Sequence, residues 1–137
     1  MTTDTRLHPL GYVESTLINP DSAPRQGDEG APDCDLVLAP EYAPALTGLA
    51  AGAEIVVLTW LDRAARDVLE VHPRGDLTRP PTGVFATRSP HRPNPIGLHV
   101  VTILEIAGTR LRVRDLEALN GTPVLDIKPV LGPVDRR

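Results

Sequence analysis

The sequence predicts a mainly β domain, a small barrel with one short helix and long loops rich in proline and glycine. About seven or eight short apolar or alternating segments are separated by turns that use most of the chain's 11 glycines and 15 prolines, as in closed antiparallel sheets. Only residues 40–49 have the length and composition of a helix. No Gly-x-Gly-x-x-Gly motif opens a helix, so a doubly wound dinucleotide-binding fold is not indicated.

The predicted strands follow one another with short connections. They are residues 10–14, 35–38, 55–61, 67–71, 83–87, 99–106, 110–115 and 124–127. Residues 55–61 lack polar alternation, which predicts a central strand that is buried on both faces. The turn at residues 107–109 predicts a hairpin between its two flanking strands. In the predicted helix, Pro40 lies in the first turn, Glu41 lies near the positive end and Gly48 ends it.

Length and composition predict one globular domain over residues 1–137, with a core from about residue 8 to residue 131 and loose ends. A net charge of −4 and 3% aromatic residues argue against a large nucleic-acid footprint. A short basic stripe, Arg110, Arg112 and Arg114, is the local exception; it is either a solvated face or a phosphate contact. Cys34 is alone, which excludes an internal disulfide and a cysteine-based zinc site, and favours a small buried residue.

Residues 88–95 form a stiff polar loop with three X-Pro pairs. Each proline fixes its own φ and pushes the preceding residue toward an extended conformation. Arg88, Ser89, Arg92 and Asn94 lie on this loop, and these residue types bind carboxylates, phosphates and amides. A rigid loop loses little entropy on binding, which favours a binding site. The alternative is a surface connection with solvated arginines.

Two strings carry a family resemblance. Residues 83–98, GVFATRSPHRPNPIGL, and residues 120–129, NGTPVLDIKP, resemble the two signatures of the TsaA-like (TrmO) family of tRNA methyltransferases, and the resemblance extends over about residues 10–131. It implies a small β-barrel that binds S-adenosylmethionine without a Rossmann fold. It also implies a homodimer with active sites at the subunit interface. Larger bacterial members carry a further C-terminal domain that helps with tRNA.

The resemblance also implies which residues contact the cofactor. They are Pro24, Arg25, Gln26, Asp62, Arg63, Arg88, Leu98, Leu116, Glu117, Ala118 and Leu119. Arg88 or Arg25 would pair with the cofactor carboxylate through a bidentate fork, although a loop arginine such as Arg25, taken alone, is usually just solvated. Residues 116–119 would take the adenine and ribose, with Leu98 packed against the cofactor. Asp62 departs from the family, which commonly has a histidine at this place.

On the substrate side, the best-known relatives methylate N6 of threonylcarbamoyl-adenosine next to the tRNA anticodon. The nitrogen must lose a proton during or after the attack. Asp126 and Lys128 occupy alternate positions of one predicted strand and so share a face. We expect Asp126 to be the acceptor and Lys128 to hold a carboxylate or phosphate; the alternative is a structural salt bridge. Ser89, Arg92 and Asn94 are the predicted substrate-binding residues. Asn120 and Val130 depart from the family, which usually has aspartate and tyrosine there.

Other chemistries find no support in the sequence. The four histidines, His8, His72, His91 and His99, show no paired spacing for a metal, and no metal is expected. Ser89 lacks the nucleophile elbow of a hydrolase. No apolar run reaches transmembrane length and no signal pattern opens the chain, so a soluble, cytoplasmic protein is expected. Three hypotheses stay open: a tRNA methyltransferase, the same barrel acting on a small molecule, and a non-catalytic cofactor-binding module.

Overall fold

The computed structural model describes residues 4–19 and 30–136, and a closed antiparallel barrel forms its centre. The strands are β1 (Gly11–Glu14), β2 (Cys34–Leu38), β3 (Glu54–Trp60), β4 (Glu70–Val71), β5 (Thr82–Gly83), β6 (Ile96–Ala107), β7 (Arg110–Arg114) and β8 (Pro123–Pro129). Six of them close the barrel in the order β1-β2-β7-β6-β3-β8, and β4 pairs with β5 in a separate two-stranded sheet. The predicted mainly β barrel is confirmed, and the fold is not doubly wound.

The core lies inside the barrel and is built from the inward residues of each strand. Leu36, Ile55, Ile103 and Leu111 are among its fully buried members. Strand β6 joins the two halves of the barrel, because its first half pairs with β3 and its second half pairs with β7. Cys34 lies in this core as predicted, and burial raises the pKa of its thiol to about 12.

The prediction that β3 is buried on both faces is wrong. Its burial alternates: Ile55 and Val57 are buried in the barrel, whereas Val56, Leu58 and Trp60 are only partly buried on the outer face. The apolar run therefore serves two surfaces. One is the core of this chain, and the other is a sheet face that the described residues leave partly exposed.

Two predicted elements take a different form. The helix expected over residues 40–49 is a 3₁₀ helix, Pro40–Leu46, that contains Pro44. Because proline has no N–H and its ring clashes with the preceding turn, an α-helix is disfavoured there. The strand expected over residues 83–87 is wrong: after β5 the chain turns into a 3₁₀ helix, Val84–Ala86, and Phe85 is 84% exposed.

The remaining boundaries differ by local geometry. The strand expected over residues 67–71 is reduced to β4. Strand β7 ends at Arg114 because Asp115 has a φ of 73°, which a strand cannot contain. The tail expected to be loose after Leu131 holds a 3₁₀ helix, Gly132–Arg136. Within the two described ranges, no helix combines the length and the hydropathy of a membrane span.

Candidate functional site

The proline loop is held against the chain that follows β3. The Leu61 N–H donates to the Pro95 carbonyl (2.8 Å), and the Arg92 N–H donates to the Ala65 carbonyl (3.1 Å). The Ala65 N–H in turn donates to Nδ1 of His91 (3.0 Å). Since Trp60 and Ile96 are paired at the adjoining ends of β3 and β6, both connections start from a fixed part of the sheet.

Arg66 completes this attachment. Its guanidinium donates to the Pro93 carbonyl (2.8 Å) and to Oδ1 of Asn94 (2.9 Å), and it lies 5.1 Å from the centre of the Trp60 ring. The amide oxygen of Asn94, a predicted substrate-binding residue, is therefore engaged within the chain. Its amide nitrogen has no partner among the described residues and is available to a ligand.

Arg92 holds the loop from inside. One nitrogen of its guanidinium donates to the carbonyls of Thr87 (3.1 Å) and Ser89 (3.0 Å), and the other donates to the carbonyl of Val84 (3.0 Å). Only arginine offers several donors in one rigid plane, so these three bonds fit its shape. The structure gives Arg92 a loop-holding role, and its predicted contact with substrate stays a prediction.

Arg88 and Ser89 differ in how far the loop uses them. The Ser89 hydroxyl accepts from the His91 N–H (3.3 Å), so it helps to shape the turn. Arg88 is exposed, and within the described residues its guanidinium makes no hydrogen bond or ion pair. It is thus the guanidinium of this loop that is available to an anion from outside.

The outer face of β8, β3 and β6 brings predicted cofactor and catalytic residues together. Leu58 of β3 pairs with Leu98 of β6 on one side and with Asp126 of β8 on the other. Directly paired residues point to the same face, and neighbouring strands are about 4.8 Å apart. Leu98 and Asp126 therefore lie about 10 Å apart on one face, with Leu58 between them.

Asp126 and Lys128 share this outer face as predicted. Lys128 Nζ lies 3.1 Å from Oδ2 of Asp126, and Oδ1 of Asp126 accepts from the Ile127 N–H (2.9 Å). Both side chains are about half exposed or more. The salt bridge that was the structural alternative is present, and its exposure leaves both charges accessible to a ligand. The catalytic roles of the pair stay predictions.

Residues 116–119 lie in the connection from β7 to β8. Leu116 and Ala118 are buried and anchor it, while Glu117 and Leu119 are partly exposed. Oε1 of Glu117 accepts from Nδ1 of His99 at 2.7 Å, and Nε2 of His99 lies 2.8 Å from Oγ1 of Thr59. His99 and Thr59 were not predicted to belong to the site, although the alternation of β3 and β6 could have placed both side chains inside the barrel.

Two more predicted cofactor residues, Asp62 and Arg63, follow β3 directly. Asp62 and Arg63 are exposed, and Arg63 donates to the Ile18 carbonyl (3.2 Å), just before the segment 20–29. Pro24, Arg25 and Gln26 belong to that segment and lie outside the described residues.

The family follows from a match over most of the chain. The family model described as "tRNA-methyltransferase O N-terminal domain" matches residues 12–136. This chain belongs to that family. A protein of Archaeoglobus fulgidus named "S-adenosyl-L-methionine-binding protein" is 46% identical over 129 residues, which are 94% of this chain and 91% of that protein. A "Probable S-adenosyl-L-methionine-binding protein" of Methanothermobacter thermautotrophicus is 46% identical over 132 residues, 96% and 94% of the two chains.

Solved structures agree with the fold. The crystal structure of TrmO from Pseudomonas aeruginosa has a TM-score of 0.77 and 32% identity, and the match covers 98% of this chain and 59% of that one. Another crystal structure of TrmO has a TM-score of 0.78 and 33% identity, with 100% and 60% coverage. This chain spans about 60% of the solved chains that it matches.

One departure from the family signature has a structural explanation. Oδ1 of Asn120 accepts from the Ser15 N–H (3.0 Å), and the Asn120 N–H donates to the Leu17 carbonyl. The side chain thus acts as an acceptor that ties the exit of β1 to the β7–β8 connection. Because aspartate would accept the same bond, asparagine keeps the architecture of this member of the family.

The basic stripe of β7 is neutralised by acidic neighbours. Nη1 of Arg110 lies 3.0 Å from Oε1 of Glu14 and 2.6 Å from Oδ2 of Asp35. Nη1 of Arg112 lies 3.2 Å from Oδ1 of Asp35. The hydrogen bond that Arg110 donates to Glu14, followed by the one that it donates to Asp35, raises the pKa of its guanidinium. The stripe is therefore an ion-pair network rather than an unpaired basic surface, which weakens the case for a phosphate contact there.

Proposed function

We propose that this protein is an S-adenosylmethionine-dependent methyltransferase that modifies N6 of threonylcarbamoyl-adenosine beside the tRNA anticodon. The observation that carries the proposal is the row Leu98–Leu58–Asp126 across three strands. It sets the apolar contact predicted for the cofactor about 10 Å from the predicted proton acceptor, a span on the scale of an adenosyl group with its acceptor. A tRNA substrate also makes the protein cytoplasmic.

Three further side chains, Arg88, Leu98 and Glu117, would fit different parts of the cofactor. Arg88 is exposed on a rigid loop and makes no ion pair among the described residues, so it suits the cofactor carboxylate. Leu98, which is 46% exposed, offers an apolar surface for the adenine. Glu117 has a second carboxylate oxygen for a ribose hydroxyl. When bound, the cofactor supplies a methyl group made electrophilic by its sulfonium.

The residues of this chain then serve mainly to orient the acceptor. Asp126 accepts the proton that leaves N6. The Ile127 N–H and Lys128 already hold the two oxygens of its carboxylate, so the group is oriented before the acceptor binds. Lys128 binds the carboxylate of the threonylcarbamoyl group as a point charge. Orientation of this kind can supply roughly 7–11 kcal/mol of the barrier.

We further propose that a second copy of this chain covers the outer face of β3 and β6. Ile96, Leu98 and Val100 are each 45–47% exposed there, opposite Trp60, Leu58 and Val56 of β3. An apolar strip of this kind is typical of a homodimer interface. The adjacent Asp126 and Lys128 have opposite charges, so a two-fold axis could set the lysine of each copy beside the aspartate of the other. The site would then lie at the subunit interface.

The test is transfer of labelled methyl from S-adenosylmethionine to bulk tRNA from cells that lack this modification. The expected result is labelled tRNA with the wild-type protein, and none with Asp126→Asn. Cofactor affinity of that variant should be nearly unchanged, because Asp126 acts on the acceptor. Glu41→Gln, an exposed acid on the 3₁₀ helix Pro40–Leu46, is the matched control and should remain active. A fully active Asp126→Asn protein would contradict the assigned role.

A small-molecule acceptor is the second candidate, and the neutralised arginine stripe of β7 favours it. A protein that binds the cofactor but labels no tRNA would point to this candidate, and the assay would then move to a metabolite extract. Cofactor binding with no transfer to either would leave the third hypothesis, a non-catalytic module.

A further inference from the structure

A chain of three polar side chains runs through the barrel interior. Oγ1 of Thr59 lies 2.8 Å from Nε2 of His99, and Nδ1 of His99 lies 2.7 Å from Oε1 of Glu117. Thr59 is fully buried and His99 is 5% exposed, whereas the Glu117 side chain is 21% exposed. The chain therefore begins deep in the core and emerges at the β7–β8 connection.

Hydrogen-bond chemistry gives the chain a direction. An ionised carboxylate only accepts, so Nδ1 of His99 must carry a proton and donate to Glu117. In the neutral ring, Nε2 then accepts from the Thr59 hydroxyl. Each group thus orients the next one, from Thr59 to Glu117. Thr59 is not a nucleophile despite its histidine neighbour, because no substrate can reach a residue with no exposed surface.

The sequence of β6 leaves room for this chain. A Cβ on Gly97 would collide with Oγ1 of Thr59 and would lie 2.6 Å from Nε2 of His99. Any side chain at Gly97 would therefore separate the two groups. Burying a polar side chain is costly unless it is hydrogen-bonded, and here both nitrogens of His99 have partners.

Among these three side chains, Glu117 has a carboxylate oxygen that the other two do not use. Its Oε1 is engaged by His99, whereas its Oε2 has no hydrogen-bond partner among the residues that the structure describes. Buried Leu116 and Ala118 hold the backbone on either side. Oε1 of the carboxylate is thus held by His99 from the barrel interior, and Oε2 is available to a donor from outside the barrel.

We propose that Thr59 and His99 are positioning residues that hold the Glu117 carboxylate so that its Oε2 accepts a hydrogen bond from the ribose diol of the cofactor. This inference rests on the proposed function, since it deepens the description of the same cofactor site. Neither residue touches the cofactor; both act through Glu117.

The test compares two ligands by calorimetry: S-adenosylhomocysteine, and its analogue without the 2′ and 3′ hydroxyls. The wild-type protein should bind the complete ligand about 10- to 100-fold more tightly, as expected for a hydrogen bond to a charged group. Thr59→Val and His99→Leu should each lose most of this preference while binding the analogue as the wild type does. Glu117→Gln should also lose most of it, and adding His99→Leu to Glu117→Gln should have little further effect on the preference.

A control variant and the possible negative results separate the positioning role from the proposed function. His72→Gln changes a histidine that is also hydrogen-bonded, through Nδ1 to the Arg79 carbonyl, but lies outside the barrel, and it should keep the wild-type preference. If His99→Leu does not fold, the near-isosteric Thr59→Val variant carries the test. Variants that keep the preference, or that lose affinity for both ligands equally, would overturn the positioning role alone. A wild-type protein that binds neither ligand would overturn the proposed function, and this inference with it.

Discussion

Substitution by alanine is expected to have different effects at two arginines of the proline loop. Arg92 donates to three carbonyls of its own loop, those of Val84, Thr87 and Ser89. Arg88 makes no hydrogen bond or ion pair within the described ranges. Arg92→Ala should therefore loosen the loop, whereas Arg88→Ala should leave the loop intact and weaken cofactor binding.

The magnitude follows from the number of bonds. A typical hydrogen bond contributes about 1 kcal/mol net, so the loss of three should lower the local stability of the loop by about 3 kcal/mol. A difference of about 1.4 kcal/mol is a factor of ten, so the amide protons of Thr87 and Ser89 should exchange about 100-fold faster in Arg92→Ala. These two amides report on the loop because they donate to the Val84 carbonyl and to the Thr87 hydroxyl. Native-state hydrogen exchange measures the change directly.

Arg92→Lys refines the test. A lysine has one ammonium group in place of a planar fork and cannot reach three carbonyls at once, so it should recover only part of the protection. If exchange at Thr87 and Ser89 is unchanged in Arg92→Ala while the Michaelis constant for tRNA rises, the loop-holding argument fails. Arg92 would then be a substrate contact, as the sequence motif predicts.

Three further predictions concern the core and the outer face. Burial raises the pKa of the Cys34 thiol from 9.0 to about 12. The contribution of the protonated thiol to the free energy of unfolding is therefore complete below pH 9 and falls by about 1.4 kcal/mol per pH unit as the pH rises toward 12. Urea unfolding at pH 8 and pH 10.5 should show this fall in the wild type but not in Cys34→Ala. Gly11→Ala places a Cβ against the Val37 carbonyl and should cost about 3 kcal/mol of stability, and an unchanged melting temperature would contradict the close approach of β1 to β2 at this residue. Val100→Glu should give a monomer in analytical ultracentrifugation, whereas Leu77→Glu, at an exposed leucine outside the strands, should not.

Most strands could be predicted from the sequence because their signals are local. In β7, Leu111 and Val113 alternate with arginines, and the observed burial follows that alternation. Gly108 has a φ of 62° and forms the tight turn that its position predicts. The lack of helix and strand in residues 88–95 was also predictable, since each proline restricts its own backbone and that of the residue before it.

The parts that failed depend on distant residues. The chain after β5 turns into a 3₁₀ helix instead of a strand, and the Val84 carbonyl there is taken by Arg92, eight residues further on. Thr59 and His99 are 40 residues apart in sequence, and His99 and Glu117 are 18 apart. Strand propensity and motif spacing carry no information on such contacts. The closed barrel makes them, because it sets β6 beside β3 and the β7–β8 connection beside β6.

The sequence of β3 correctly predicts a strand but wrongly predicts that both of its faces are buried in the single chain. An uninterrupted apolar run is typical of a strand that is buried on both faces, yet Val56, Leu58 and Trp60 are only partly buried in the single chain. A monomer gains little by keeping apolar side chains on an outer face beside the exposed Leu98 and Val100. A second copy of the chain would remove the discrepancy, because it would bury the outer face and make the pattern of β3 that of an interior strand. The pattern would then be a property of the dimer, and the Leu98–Leu58–Asp126 row would face the partner subunit.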